Sequence, residues 1–184
     1  RMGIMLKHMA GRRKKPFILG IDWQVDDLRM VLLDQAQSGR GIGRQQLLGQ
    51  WHLSFPALPL SSALHMQPEW QDFVAQVSNL IGRASLHINV GIPNRLCSWL
   101  HCPTAMLDGK TTLVALQLQY QRLAAAALNV DPQNLNVHHL QLSCALSFLV
   151  VTKRHYESNI RTLINSVHDQ VQGSVVACIE PQGL

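Results

Sequence analysis

The stretch that most constrains the fold is FILGIDWQVDDLRMVLLD, Phe17 to Asp34. It holds two apolar runs of strand length, parted by the polar residues Gln24, Asp26 and Asp27. Short apolar runs bounded by turn residues read as buried strands. We therefore expect strands over 17–23 and 28–34, joined as an antiparallel hairpin. AQSGRGIG comes next as a loop, and Gln45–Ser54 reads as a third strand anchored by Leu48, Trp51 and Leu53. Such a meander has an apolar face that needs a cover. Between Pro68 and Gly82, Trp70, Phe73, Val74, Val77, Leu80 and Ile81 recur with the period of a helix. Pro68 suits the first helical turn, and Gly82 is placed to end the helix. LHINVGIP then reads as a short buried strand.

Strand, strand, strand, helix, strand is the opening of a ribonuclease-H-like unit, the unit on which actin-type folds are built. The rest of the chain has a different order. LCSWLHC reads as a strand. DGKTTLVALQLQYQRLAAAAL reads as a helix, capped by Asp108, with Leu113, Leu116, Tyr120, Leu123 and Ala127 as its stripe. NVHHLQL and CALSFLVVTK are two strands. Residues 153–172 form a helix with Ile160, Leu163, Ile164, Val167 and Val171 on one face. SVVACIEP is a last strand, expected to return to the first sheet. The expected class is α/β (α+β). Residues 1–15 are a basic tail, 16–93 the ribonuclease-H-like unit, 94–172 an inserted α+β unit, and 173–184 the returning strand.

The formal charge of +5 belongs to the tail. Six of the 16 Lys and Arg lie in residues 1–15, leaving ten against 11 Asp and Glu in the body. A basic tail suits solubility, a cloning remainder or an anionic membrane surface better than nucleic acid, because nothing in the body continues the patch. Met2, Met5 and Met9 leave the native start open. No apolar run reaches the roughly 18 residues that span a bilayer, and no secretory signal is evident. Cys97, Cys102, Cys144 and Cys178 form no CxxC pair and read as buried free thiols suited to a reducing cytoplasm. His138 and His139 are adjacent on a strand, so they point to opposite faces and cannot chelate together. No metal site is expected.

The candidate chemistry centres on Asp22, at the end of the first strand. A two-metal nuclease needs further carboxylates to converge on it, but INVGIPNR offers Asn89 and Asn94 instead. A phosphate loop uses Gly for close approach, hydroxyls, and often a Lys. Residues 23–27 have none of these, and Asp26 and Asp27 repel phosphate unless a cation lies between. Asp22, Gln24, Asp26 and Asp27 thus read as an eroded phosphate loop. LDGKTTL lacks P-loop spacing, and no GxSxG occurs. Neither a catalytic residue nor a cofactor is expected.

The ordered series of motifs resembles the PilM group of actin-like proteins (PilM, HofM and ComA) of type IV pilus and DNA-uptake machines. More loosely, it is similar to the cytoplasmic domains of GspL and BfpC of type II secretion and bundle-forming pili. The resemblance rests on LGIDWQVDDLRMVLLD at the place of the family's phosphate hairpin. It rests also on VGIPNRLCSWLHCPTAML, on QYQRLAAAALNVDPQNLNVHHLQL, on CALSFLVVTKRHYESNIRTL and on VVACIEP. It covers about Pro16 to Pro181. It implies an actin-like first lobe, truncated relative to the full fold: the part of PilM beyond the VVACIEP strand, which completes its ATP cleft, is not in this sequence. It implies a scaffold or assembly component at the cytoplasmic side of the inner membrane, or the cytoplasmic domain of a single-pass membrane protein. The implied partners are a PilN-like cytoplasmic tail, a platform protein or an assembly ATPase, held in the cleft between the 16–93 and 94–172 units. The alternatives are an ATP-binding actin-like protein whose second half is missing here, and a nucleic-acid-associated ribonuclease-H-like module.

Overall fold

The computed structural model describes residues 16–24, 26–35, 45–55, 63–102, 112–143 and 146–182. Asp108, Cys144 and the loop 36–44 lie outside the described residues. Two sheets organise the described residues. The first contains β1 (Phe17–Gln24), β2 (Asp27–Gln35), β3 (Gln45–Ser54), β4 (Leu86–Ile92) and β8 (Val175–Pro181), in the order β3-β2-β1-β4-β8. β1, β2 and β3 form an antiparallel meander, while β4 runs parallel to β1 and β8 parallel to β4. The last strand thus lies at the edge of the first sheet, beside β4.

One face of this sheet is covered by α1 (Pro68–Ile81) and α3 (Arg154–Gln170). Alternation along the strands sends Leu19, Ile21, Trp23, Met30, Ile88 and Val90 to that face. Trp70, Phe73, Val74, Val77 and Ile81 of α1 meet them, but Leu80 lies outside the stripe and stays exposed. Gly82 ends α1 at φ 58°, where a side chain would be strained, and its N–H bonds to Ser78 O at 2.9 Å. Trp70 Nε1 donates to Ser166 Oγ of α3 at 2.8 Å and ties the two helices together.

The stripe of α3 is the expected one: Ile160, Leu163, Ile164, Val167 and Val171 are all buried. Its partner is not. Grouped by sequence with residues 94–172, α3 packs instead into the core of the first sheet. Trp23 of β1 meets Tyr156 of α3 edge-on, with ring centroids 5.8 Å apart.

The second sheet contains β5 (Cys97–Cys102), β6 (Leu135–Gln141) and β7 (Ser147–Lys153), antiparallel in the order β5-β7-β6. α2 (Leu113–Leu128) covers one face. Thr112 caps it, accepting from Ala115 N at 3.3 Å. Its buried residues are Tyr120, Ala124 and Ala125, flanked by Leu116, Leu123 and Leu128. Leu113 is 86% exposed and Ala127 is also exposed, so the expected stripe is rotated by part of a turn. Asp131 then accepts from Gln133 N at 2.9 Å, which makes DPQNL a capped turn into β6.

The cysteines divide. Cys102 is buried and Cys97 half-buried, but Cys178 is exposed on the edge strand β8, contrary to expectation. His138 and His139 point to opposite faces. The imidazole of His139 stacks on Tyr120 at 5.0 Å.

Candidate functional site

In open sheets with parallel strands, ligands are met outside the carboxyl ends of those strands. Here β1, β4 and β8 end together. Asp22 pairs with Gly91, and Gly91 with Glu180. Across β2 and β3 the same row continues through Arg29 and His52. One row back lie Gln50, Val31, Gly20, Asn89 and Cys178, and behind them Leu47, Leu33, Ile18, His87 and Val176. The face of the sheet that no described helix covers thus grades from charged at one end to largely apolar at the other. A groove of about 630 Å³ runs over its polar part, floored by Gly20 and Gly91.

Asp22 lies in this groove, but its carboxylate is already engaged. Gln24 Nε2 donates to Oδ1 at 3.3 Å, and Gln182 Nε2 donates to the same oxygen. The backbone N–H of Gln182 also donates to Ile92 O at 2.8 Å, which fixes its position beyond β8. The side chain then lies directly over Gly91, where a Cβ would come within 2.8 Å of Gln182 Cγ. The absence of a side chain at Gly91 lets Gln182 reach Asp22.

The other acidic positions of the hairpin face different partners. Asp26 is exposed in the turn, and its carbonyl accepts from Phe55 N at 2.7 Å. Asp27 is a strand residue, held by His52 Nε2 and, at 3.7 Å, by Arg29 Nε. Neither carboxylate is paired with Asp22. Asn89 lies in the groove one row behind Asp22, and Asn94 is exposed in the turn after Pro93. Among the described residues, no group of three or more His, Cys, Asp or Glu is placed to hold a metal ion. Glu180, on the groove's rim, accepts from Cys178 Sγ at 3.1 Å and pushes that thiol's pKa up.

Sequence reasoning missed Gln182, Arg29, His52 and Glu180. The signal that locates them is the register: once β8 is laid parallel to β4, Glu180 falls beside Gly91 and Gln182 just beyond.

A second surface lies where the two sheets meet. Cys97, at the start of β5, packs against the core of the first sheet, and its thiol reaches Pro93 O at 3.5 Å. Burial raises its pKa. On the side of the small sheet away from α2, Asn136 bonds to Glu157 of α3. Beyond that contact, Trp99 and Phe148 meet edge-on at 6.3 Å, with His101 against the same phenyl ring at 6.2 Å. Trp99 is 43% exposed on that side of the small sheet.

No family model and no curated protein matches the chain. Among solved structures it is similar to the cytoplasmic domain of EpsL, an inner membrane component of the type II secretion system of Vibrio cholerae. Identity is 8% and the TM-score 0.53, over 90% of this chain and 57% of that one. It is also similar to the PilM–PilN type IV pilus biogenesis complex, with 11% identity and a TM-score of 0.52, over 90% of this chain and 47% of that one. The chain therefore spans about half the length of the structures it matches. At these identities the likeness is one of fold. The mixed α/β, actin-like architecture expected from the order of elements is the one present.

Proposed function

We propose that this chain is a scaffold module of the inner-membrane platform of a type II secretion or type IV pilus machine, working at the cytoplasmic face by binding other proteins. Its fold likeness to the EpsL cytoplasmic domain and to PilM in a pilus biogenesis complex supports the setting. The observation that carries the reading is Asp22. Where an actin-like fold would present this carboxylate toward nucleotide and its cation, the chain's own Gln182 and Gln24 hold it. The residues around it supply no Lys or hydroxyl cradle for phosphates. The module is read as a non-enzyme without a cofactor.

The partner surface in this reading is the junction between the sheets, with Trp99 and Phe148 as its anchors. Trp99 is exposed and aromatic, and such side chains are common anchors for protein partners. The partner class is a short cytoplasmic tail of an inner-membrane assembly protein; a platform protein or an assembly ATPase is the alternative. Membrane association through the basic residues 1–15 would add to this attachment.

The test is a titration with labelled peptides from the cytoplasmic tails of inner-membrane platform proteins, followed by fluorescence anisotropy. Saturable binding weakened at least tenfold by Trp99→Ala supports the proposal. Binding that Trp99→Ala and Phe148→Ala leave unchanged moves the site away from the junction. The second reading, an ATP-binding half of a larger actin-like protein, draws support from the groove at the carboxyl ends of β1, β4 and β8. A tight, Mg²⁺-dependent response to ATP would favour it.

A further inference from the structure

Charge is not spread evenly over the body of the chain. Residues 94–155, which include the small sheet and α2, hold five Lys and Arg (Arg95, Lys110, Arg122, Lys153 and Arg154) against two acids, Asp108 and Asp131. Residues 16–93 and 156–184 hold five Lys and Arg against nine Asp and Glu. A nearly neutral body is therefore a basic small unit joined to an acidic large one. Part of the basic excess gathers at one end of the small sheet. Arg95 precedes β5 by two residues, and Arg154 follows β7 directly. The pairing of Cys97 with Thr152 brings those two ends together. Arg154 Nη2 lies 3.4 Å from Leu135 O, at the start of β6. Arg95, Lys153, Arg154 and His155 are exposed, and among the described residues none of them forms an ion pair with a carboxylate. Like charges held together without a counter-charge repel, and a bound anion relieves the repulsion.

The face of the small sheet that turns away from α2 starts at this end. Alternation along the strands puts Trp99, His101, Phe148, Asn136, His138 and Thr152 on it. Two polar atoms on this side are enclosed and have no hydrogen-bond partner: His138 Nε2 and Thr152 Oγ1, the latter on a residue 1% exposed. Buried polar atoms are nearly always paired in a finished fold. Two orphans on one face, next to unpaired cations, mark a surface whose polar groups something else completes.

We propose that the partner seated on this face is an acidic peptide. Its apolar anchor lies against Trp99 and Phe148, and its carboxylates reach Arg95 and Arg154. A guanidinium takes a carboxylate through two parallel hydrogen bonds, and a pair of arginines is the usual device for reading acidic segments. The orphaned hydroxyl and imidazole can each donate to a carboxylate or a peptide carbonyl. A nucleic-acid backbone fits less well, because its binders neutralise a run of phosphates and the unpaired cations here sit at one end of the sheet. The inference rests on the scaffold reading for the place of the partner and adds the partner's charge.

The experiment is fluorescence anisotropy on the full chain with two labelled synthetic peptides. They share one central apolar segment and differ only in their flanks, Glu in one and Lys in the other. The Glu peptide should bind about tenfold more tightly than the Lys peptide, with an affinity that falls as salt is raised. The double variant Arg95→Glu, Arg154→Glu should reverse the preference toward the Lys peptide, a gain that a misfolded chain could not give. Arg83→Glu, an exposed change on the large unit, should leave the preference as it is. Equal affinity for the two peptides, or a preference indifferent to the double variant, overturns the proposal. So does a labelled oligothymidylate that binds more tightly than the Glu peptide. If tails of platform proteins bind through Trp99 while the Glu and Lys peptides do not differ, this inference fails and the scaffold reading stands. If the Glu peptide binds as expected and no such tail does, the acidic-peptide site stands and the scaffold reading fails.

Discussion

The two faces of the five-stranded sheet are made by the same strands and do opposite things. One face sends Leu19, Trp23, Met30 and Ile88 under α1 and α3. The other shows Asp22, Arg29, His52 and Asn89 around an open groove. Period-two alternation produces both at once, so a strand that builds the core necessarily builds the surface behind it. The difference teaches where stability and recognition are separable. Substitutions on the helix-covered face should unfold the chain; those on the groove face should leave it folded.

The strongest break of this comparison is Trp70→Ala. It empties a fully buried site and removes the bond to Ser166. The expected loss is about 3–5 kcal/mol, read as a shift of the urea midpoint with unchanged slope. A paired test within one strand comes next. Ile88→Ala should cost about 2–5 kcal/mol, while His87→Ala, its neighbour on the opposite face, should stay within about 0.5 kcal/mol. Comparable losses for both would mean that something covers the groove face.

Local periodicity made most of this legible. The hairpin, α1 and the stripe of α3 each announce a buried side within a few turns of sequence. What periodicity does not carry is the identity of the partner. Ile160 and Val167 had to be buried, yet nothing local says that they are buried under β1 and β4 rather than under β6 and β7. Stripe width is also hidden. Leu80 and Leu113 have the right residue type and fall just outside the contact. An edge strand such as VVACI reads like a buried one because its backbone pairs regularly on one side, so the exposure of Cys178 had no local sign. The occupation of Asp22 joins residues 160 positions apart, and only the registers of β1, β4 and β8 bring them together.

Smaller effects sharpen the account of the groove face. Gln182→Ala releases the Asp22 carboxylate and should cost about 1 kcal/mol in thermal or urea unfolding, the ordinary worth of such a hydrogen bond. The smallest expected effect is chemical. Glu180 holds the Cys178 thiol above its usual pKa, so less thiolate is present near pH 8 and alkylation is slow for an exposed cysteine. Glu180→Gln removes the carboxylate, lowers the pKa toward its ordinary value and should speed alkylation a few-fold, measured with iodoacetamide at dilute protein.

In the proposed reading, Gln182 and Gln24 hold the carboxylate at the end of β1 that a nucleotide's cation would need, and protein binding is the chain's work. Calorimetric titration of ATP with Mg²⁺ into the chain tests this most directly. The account predicts no saturable heat in the wild type. Saturable, Mg²⁺-dependent binding that Asp22→Asn abolishes would contradict it.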